Sequence, residues 1–144
     1  MSTPRALLLS LRPRFAEAIL QGSKTIEIRR RPVSAAPGTP MILYSSSPAM
    51  AVVGTARLAH IEFCPAAMAW RRYGPTLGLS RAEYDTYLDG INSAYLLHLT
   101  KVNTLNEPLP LRHLREEGPF QPPQSFRYVA ETDPARLRKL VPSA

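Results

Sequence analysis

Apolar residues recur along this chain with two different periods, and the switches between them mark the elements. Leu7-Leu8-Leu9-Ser10-Leu11-Arg12-Pro13 reads as an opening strand. Pro13 then suits the first turn of a helix in which Phe15, Ala18 and Ile19 recur at helical spacing, until Gly22 stops it. From Thr25 to Arg31 the period becomes two, with Ile26 and Ile28 on one face and Thr25, Glu27 and Arg29 on the other. Glu27 and Arg29 therefore share a face. Lys24 has the isoleucine parity, so it must leave the turn before the strand becomes regular if it is to meet them.

After a Pro/Gly/Ala-rich loop from Pro32 to Pro40, two β-like runs follow, Met41 to Ser45 and Ala51 to His60, separated by Ser46-Ser47-Pro48. The central sheet is expected here. Pro65 to Tyr73 predicts a short helix, and Ser80-Arg81-Ala82-Glu83 has capping-box spacing for a second one that passes Tyr84, Tyr87 and Leu88 and ends at Gly90. Ala94 to Val102 is apolar enough to predict a strand buried on both faces. Leu111 to Glu117 has room for one or two helical turns, and Ser125 to Ala130 reads as the last strand. Thr132-Asp133-Pro134 then caps a basic tail helix carrying Arg136, Arg138 and Lys139. The order predicts an α+β fold, a small mixed β-barrel of about five to six strands with short helices in the connections. The expected organisation is a single domain over 1–144 with a helical tail at about 132–144.

Composition narrows the function classes. A chain of 144 residues is large enough for one sizeable core and small for two. One cysteine, Cys64, excludes an internal disulfide framework and a Cys-rich zinc site, so a reducing, cytoplasmic setting is expected. The Ala6 to Leu11 run is too short to span a membrane, and no secretory leader pattern follows the start, so no membrane partner is expected. The net charge of +7 is uneven. Residues 1–31 hold seven basic side chains, among them Arg12, Lys24, Arg29, Arg30 and Arg31, against Glu17 and Glu27. That end should attract phosphates. Fifteen of the eighteen basic residues are arginine, which suits bidentate phosphate contacts and base stacking.

The densest chemistry lies in Gly22-Ser23-Lys24-Thr25-Ile26-Glu27-Ile28-Arg29. A lysine beside a carboxylate at a barrel mouth has two possible jobs: an ammonium that anchors an anion, or, if burial lowers its pKa, a general base or nucleophile with Glu27 shuttling a proton. Arg29 pairs with Glu27 or holds a phosphate, and Arg12, Arg30 and Arg31 extend the basic rim. Tyr44 and Ser46 are candidates for a pocket wall that stacks on a base and bonds its edge, with plain strand-end turn residues the favoured alternative. Trp70, with Arg71 and Arg72, fits either a lid or a helix that buries its indole. His60, His98 and His113 have no partner at metal-ligand spacing, and Cys64 reads as a small buried hydrophobe. No glycine-rich phosphate loop, dinucleotide fingerprint or nucleophile elbow is present, so neither a metal nor a nucleotide cofactor is expected.

The same eight residues match the G-x-K-x-x-E-x-R signature of the ASCH family, the RNA-associated branch of the PUA-like β-barrels. The chain resembles that family over about its first 130 residues, in the opening strand, in Val52-Val53-Gly54-Thr55-Ala56 and in Gly118 to Tyr128 with its Pro-rich turn. The resemblance implies a cleft that takes a nucleoside or an RNA base. Some similar proteins hydrolyse N4-acetylcytidine with a lysine, a threonine and a glutamate. Lys24 falls on that lysine, but Glu27 stands where the threonine would be, and no carboxylate lies between Arg72 and Thr76; Glu83 is the next downstream. Other members look like ribonucleases or RNA-binding modules. Three readings follow: RNA or nucleotide binding through a basic cleft, a hydrolase of RNA or a modified nucleoside using Lys24 and Glu27, and a ligand-sensing regulatory protein.

Overall fold

A computed structural model describes residues 5–141. Six strands form one mixed sheet in the order β2-β5-β4-β3-β1-β6. β1 (Leu7–Leu11) runs parallel to β3 (Pro40–Ser45) and antiparallel to β6 (Phe126–Tyr128). β4 (Ala51–Pro65) joins β3 to β5 (Ser93–Pro110), whose other edge carries β2 (Ile26–Arg29). β1 and β2 stand four places apart in this order, yet Arg29 Nη2 on β2 lies 3.2 Å from the Ser10 carbonyl oxygen on β1. Only a sheet curled into an open barrel brings them so close, and the protein is an α+β half-barrel with short helices in its connections.

Alternation explains the core. Leu7, Leu9 and Leu11 point into the barrel with Met41, Leu43, Leu58 and Leu97, and α1 (Pro13–Gln21) plugs the interior with Ala16 and Ile19. A β-carbon at Gly54 would lie 2.6 Å from Leu20 Cδ2, so the glycine on β4 lets α1 seat fully. Leu8, Ile42 and Val52 face outward instead, covered by Leu111 and Leu114 of α4 (Leu111–Leu114) and Leu137 of α5 (Ala135–Arg138). The third cluster packs Ile26, Ile28, Cys64 and Leu96 beneath Ala69 of α2 (Ala66–Tyr73), Leu77 of the 3-10 turn Gly74–Leu77, and Tyr84 of α3 (Arg81–Tyr87). Ser80 caps α3 through the expected reciprocal box with Glu83.

Three elements depart from the sequence pattern. β4 continues past His60 to Pro65, because β5 offers partners as far as Ser93. β5 is twice as long as Ala94 to Val102, and its burial on both faces stops after Leu97. The reason is the length of β2, whose four residues cover only Tyr95 to His98 and leave the rest of β5 as an edge. In the tail, Asp133 does not cap a helix. Its carboxylate accepts from both Arg127 Nη atoms, at 2.8 and 3.0 Å, and from the Ala130 N–H at 2.7 Å, while the helix shrinks to Ala135–Arg138. The expected tail beyond Val141 and the first four residues of the expected domain lie outside the described residues.

Candidate functional site

The open side of the barrel lies between β2 and the β1/β6 edge, and the Gly22–Arg29 segment forms its floor. Gly22 ends α1 at φ 90°, where the N–H groups of Gly22, Ser23 and Lys24 all donate to the Ala18 carbonyl. This tight cap turns Lys24 inward before β2 becomes regular at Ile26. The side chain is among the most buried in the molecule, at 2% exposure. All three ammonium protons are engaged: the Ile26 carbonyl at 2.8 Å, the Leu77 carbonyl, and Glu27 Oε1 at 3.1 Å. Burial pulls its pKa below the ordinary lysine value, with Glu27 opposing the shift and Arg29 adding to it. Gly78 lies against the stem. At φ 78° a β-carbon there would sit 2.7 Å from Lys24 Cδ, so the glycine serves both the backbone and the lysine.

Glu27 is divided between two cations, Oε1 facing Lys24 and Oε2 accepting from Arg29 Nη2 at 2.6 Å. Arg29 bridges the open side. Besides Glu27, it donates to the Ser10 carbonyl on β1 and, through Nη1, to Ser125 Oγ at 2.6 Å. Its Nε is buried without a hydrogen-bond partner among the described residues, so one donor remains uncommitted. Ser10 steadies the opposite lip, its hydroxyl donating to the Pro123 carbonyl at 2.7 Å and its N–H to the Ser125 carbonyl at 2.9 Å.

Above this floor opens a cleft of about 1010 Å³. Phe15, Tyr44 and Tyr87 supply aromatic walls, Arg12 and Arg115 add cations to Lys24 and Arg29, and the Pro122–Gln124 loop closes one side. The Tyr44 phenol is pushed above its ordinary pKa by burial, with Arg115 opposing, and the Tyr87 phenol likewise by burial, with Arg29 opposing. Both are hydrogen-bond donors, not phenolates, at neutral pH. Tyr87 ties α3 to the floor, donating to the Ile28 carbonyl at 3.3 Å.

Of the residues expected from sequence, Arg12, Lys24, Glu27, Arg29, Tyr44 and Ser46 all line this cleft. Arg30 and Arg31 do not. They follow the end of β2, exposed to solvent outside the cleft. Trp70 is not a lid: α2 packs Ala69 into the core and lays the indole against Tyr84, ring centroids 5.1 Å apart, with the Arg81 guanidinium 5.4 Å from the indole. Glu83 does reach the rim, but it is held by the Ser80 box and by Arg14 at 2.7 Å. Sequence reasoning missed Ser10, Phe15, Arg115 and Ser125. Their positions depend on the closure of the sheet, and only the Pro-rich segment after Phe120 hinted at a loop built for the lip.

Comparison with known proteins agrees with this architecture. An "ASCH domain-containing ribonuclease" from Zymomonas mobilis is 34% identical over 134 residues, covering 92% of this chain and 90% of that protein. The crystal structure of ASCH from Zymomonas mobilis superposes with a TM-score of 0.85 at 32% identity, covering 96% of each chain. Human THYN1, crystallised in complex with 5-methylcytosine containing DNA, shares the fold at a TM-score of 0.55 and 13% identity, over 94% of this chain and 95% of its own. The ASCH domain pattern itself matches residues 9–106, and the chain belongs to the ASCH domain family.

Proposed function

We propose that the cleft binds a single-stranded segment of RNA, seating an unpaired base between its aromatic walls and the adjoining phosphate against Arg12, Arg29 and Arg115. The observation that carries this reading is Arg29. A guanidinium held in place by Glu27, Ser10 and Ser125 on the floor of an aromatic-walled cleft, with Arg12 and Arg115 lining the same cleft, is preorganised for an anion. Apolar walls with a few convergent polar groups suit a base, whereas a duplex presents no free base face.

The ribonuclease named among the relatives favours cleavage of the bound strand. Attack of a ribose 2′-hydroxyl on the adjacent phosphorus, its proton passing to solvent water, breaks the P–O5′ bond, forms a 2′,3′-cyclic phosphate and releases a 5′-hydroxyl, with the donor reprotonated from water. Arg29, with Arg12 and Arg115 beside it, then serves to neutralise the charge that builds on the phosphoryl oxygens, and Tyr44, which holds its proton, serves as a donor to the leaving oxygen. Amide hydrolysis of a modified nucleoside is less well supported, because both oxygens of Glu27 are occupied by cations and Glu83 is engaged in its cap.

The test is a fluorescence titration with an unstructured RNA oligonucleotide, its duplex and the matching DNA, followed by gel analysis of the products. Wild type should bind the single-stranded RNA, and Arg29→Lys should weaken binding by roughly tenfold or more, since lysine cannot reproduce the fork. Products should end in a cyclic phosphate and disappear in Tyr44→Phe. Equal affinity for duplex and single strand, or binding that Arg29→Lys leaves unchanged, would sink the reading.

A further inference from the structure

We propose that His60, Glu62 and His98 form a second site, separate from the cleft, that binds one transition-metal ion of the zinc class. His98 pairs with Ile26 in the β2–β5 ladder and the adjacent Leu97 pairs with Glu27, so the histidine and the cleft carboxylate project from opposite faces of the sheet. On that far face, β4 and β5 place His60 directly across from His98, and the two imidazoles stack with centroids 4.2 Å apart at 12°. Glu62 follows two residues after His60, hence on the same face. Its Oε1 lies 3.0 Å from His98 Nε2, and one ligand atom from each of the three residues falls within 4.8 Å of the other two.

The chemistry of the set selects the ion. Two imidazoles and one carboxylate suit zinc and its neighbours, whereas magnesium and calcium require oxygen shells. Around a zinc ion with bonds of about 2.0 Å, neighbouring ligand atoms of a tetrahedron stand roughly 3.3 Å apart, close to the separation of His98 and Glu62. His60 is exposed and free to complete the set by a small side-chain rotation, leaving a fourth position for water. The surroundings support the ligands. The Tyr73 hydroxyl donates to Glu62 Oε1 at 2.6 Å, a contact that orients the carboxylate. The Tyr73 ring also meets the His98 imidazole edge-on at 5.1 Å. Arg72 contacts Glu62 Oε2 at 3.3 Å, but its side chain is more than half exposed and can swing into solvent. Cys64, next on the same face, is buried in the apolar cluster beneath α2 and stays outside the ligand set.

The ion would fasten β4 to β5 beneath the end of α2 and raise stability by mass action. The experiment uses the full chain without an affinity tag, stripped with a chelator. Calorimetric titration with Zn²⁺ should give one site per chain and a melting temperature that climbs with zinc but not with Mg²⁺. Co²⁺ should develop the intense visible bands of a four-coordinate ion. His60→Ala, an exposed position where folding is not at risk, should weaken zinc binding by about tenfold or more. His98→Gln should do the same, and Lys24→Met should leave zinc binding intact. The proposal fails if uptake is not saturable, if His60→Ala binds zinc as wild type does, or if Co²⁺ keeps its hexa-aquo spectrum.

Discussion

Replacing Lys24 by methionine tests the reading of the cleft floor most directly. The change keeps an unbranched apolar stem of similar length and removes only the ammonium. Three acceptors then lose their donor: the carbonyls of Ile26 and Leu77, and Glu27 Oε1. Breaking a buried ion pair from one side costs about 3–5 kcal/mol. Two facts move this site to the low end. Glu27 retains Arg29 on its other oxygen, and the removed ammonium was itself disfavoured by burial, as its lowered pKa records. The expected loss is therefore about 3 kcal/mol. At roughly 2–4 °C per kcal/mol for a chain near this size, melting should fall by about 6–12 °C.

The pH dependence carries a sign that a simple packing defect would not reproduce. Lys24 titrates lower in the folded protein than its ordinary 10.5. Between the two values the unfolded chain binds the additional proton, so stability gained from this group rises with pH across that window and is absent below it. Urea unfolding of wild type and Lys24→Met at a series of pH values up to about 10.5 measures the difference, and the gap should widen as pH increases. Taking the difference cancels the tyrosines, which titrate in the same range. A variant within about 1 kcal/mol of wild type, or a gap that is flat or narrows with pH, would refute the description of Lys24 as a desolvated, fully hydrogen-bonded ammonium.

Other expectations follow from neighbouring groups. Gly78→Ala imposes a left-handed backbone on alanine, costing about 1–2 kcal/mol, and drives its β-carbon into the Lys24 stem; denaturant unfolding should show at least that loss, with RNA affinity reduced alongside. Glu83 is held down to about 2, chiefly by Arg14 and then by the Ser80 cap, so the stability it contributes is complete above 4.5 and disappears as pH falls from there to about 2. Acid titration of Glu83→Gln, monitored by circular dichroism, should lack that part of the transition. Salt dependence of RNA binding reports the phosphate contacts: Arg115→Ala should lower the slope of log affinity against log salt by about 0.7 for a single strand, whereas Arg30→Ala, outside the cleft, should leave it unchanged.

The determinants of local structure were legible in the chain. Pro13 and Gly22 bound α1, the Ser80–Glu83 box starts α3, and the period-two pattern after Thr25 puts Glu27 and Arg29 on one face. Each depends on residues within a turn or two of one another, where sterics and short-range hydrogen bonds dominate. Even the early exit of Lys24 could be inferred, since strand parity alone would have separated it from Glu27. Closure of the sheet was beyond local information. It brings Arg29 to Ser10 and Ser125, places Tyr44 beside Arg115, and sets His60 opposite His98, partners 19, 96, 71 and 38 positions apart. His60 was read as the end of a strand with no metal-ligand partner; the continuation of β4 to Pro65 brings Glu62 onto its face, and the register on β5 supplies His98. Trp70 illustrates the opposite limit: its letters fit a lid as well as the favoured core helix, and the burial of Ala69 beside it decided for the helix. Composition and periodicity thus determined the elements and the charge of the cleft, while long-range strand pairing decided which side chains meet there, because register is a property of two strands and not of either alone.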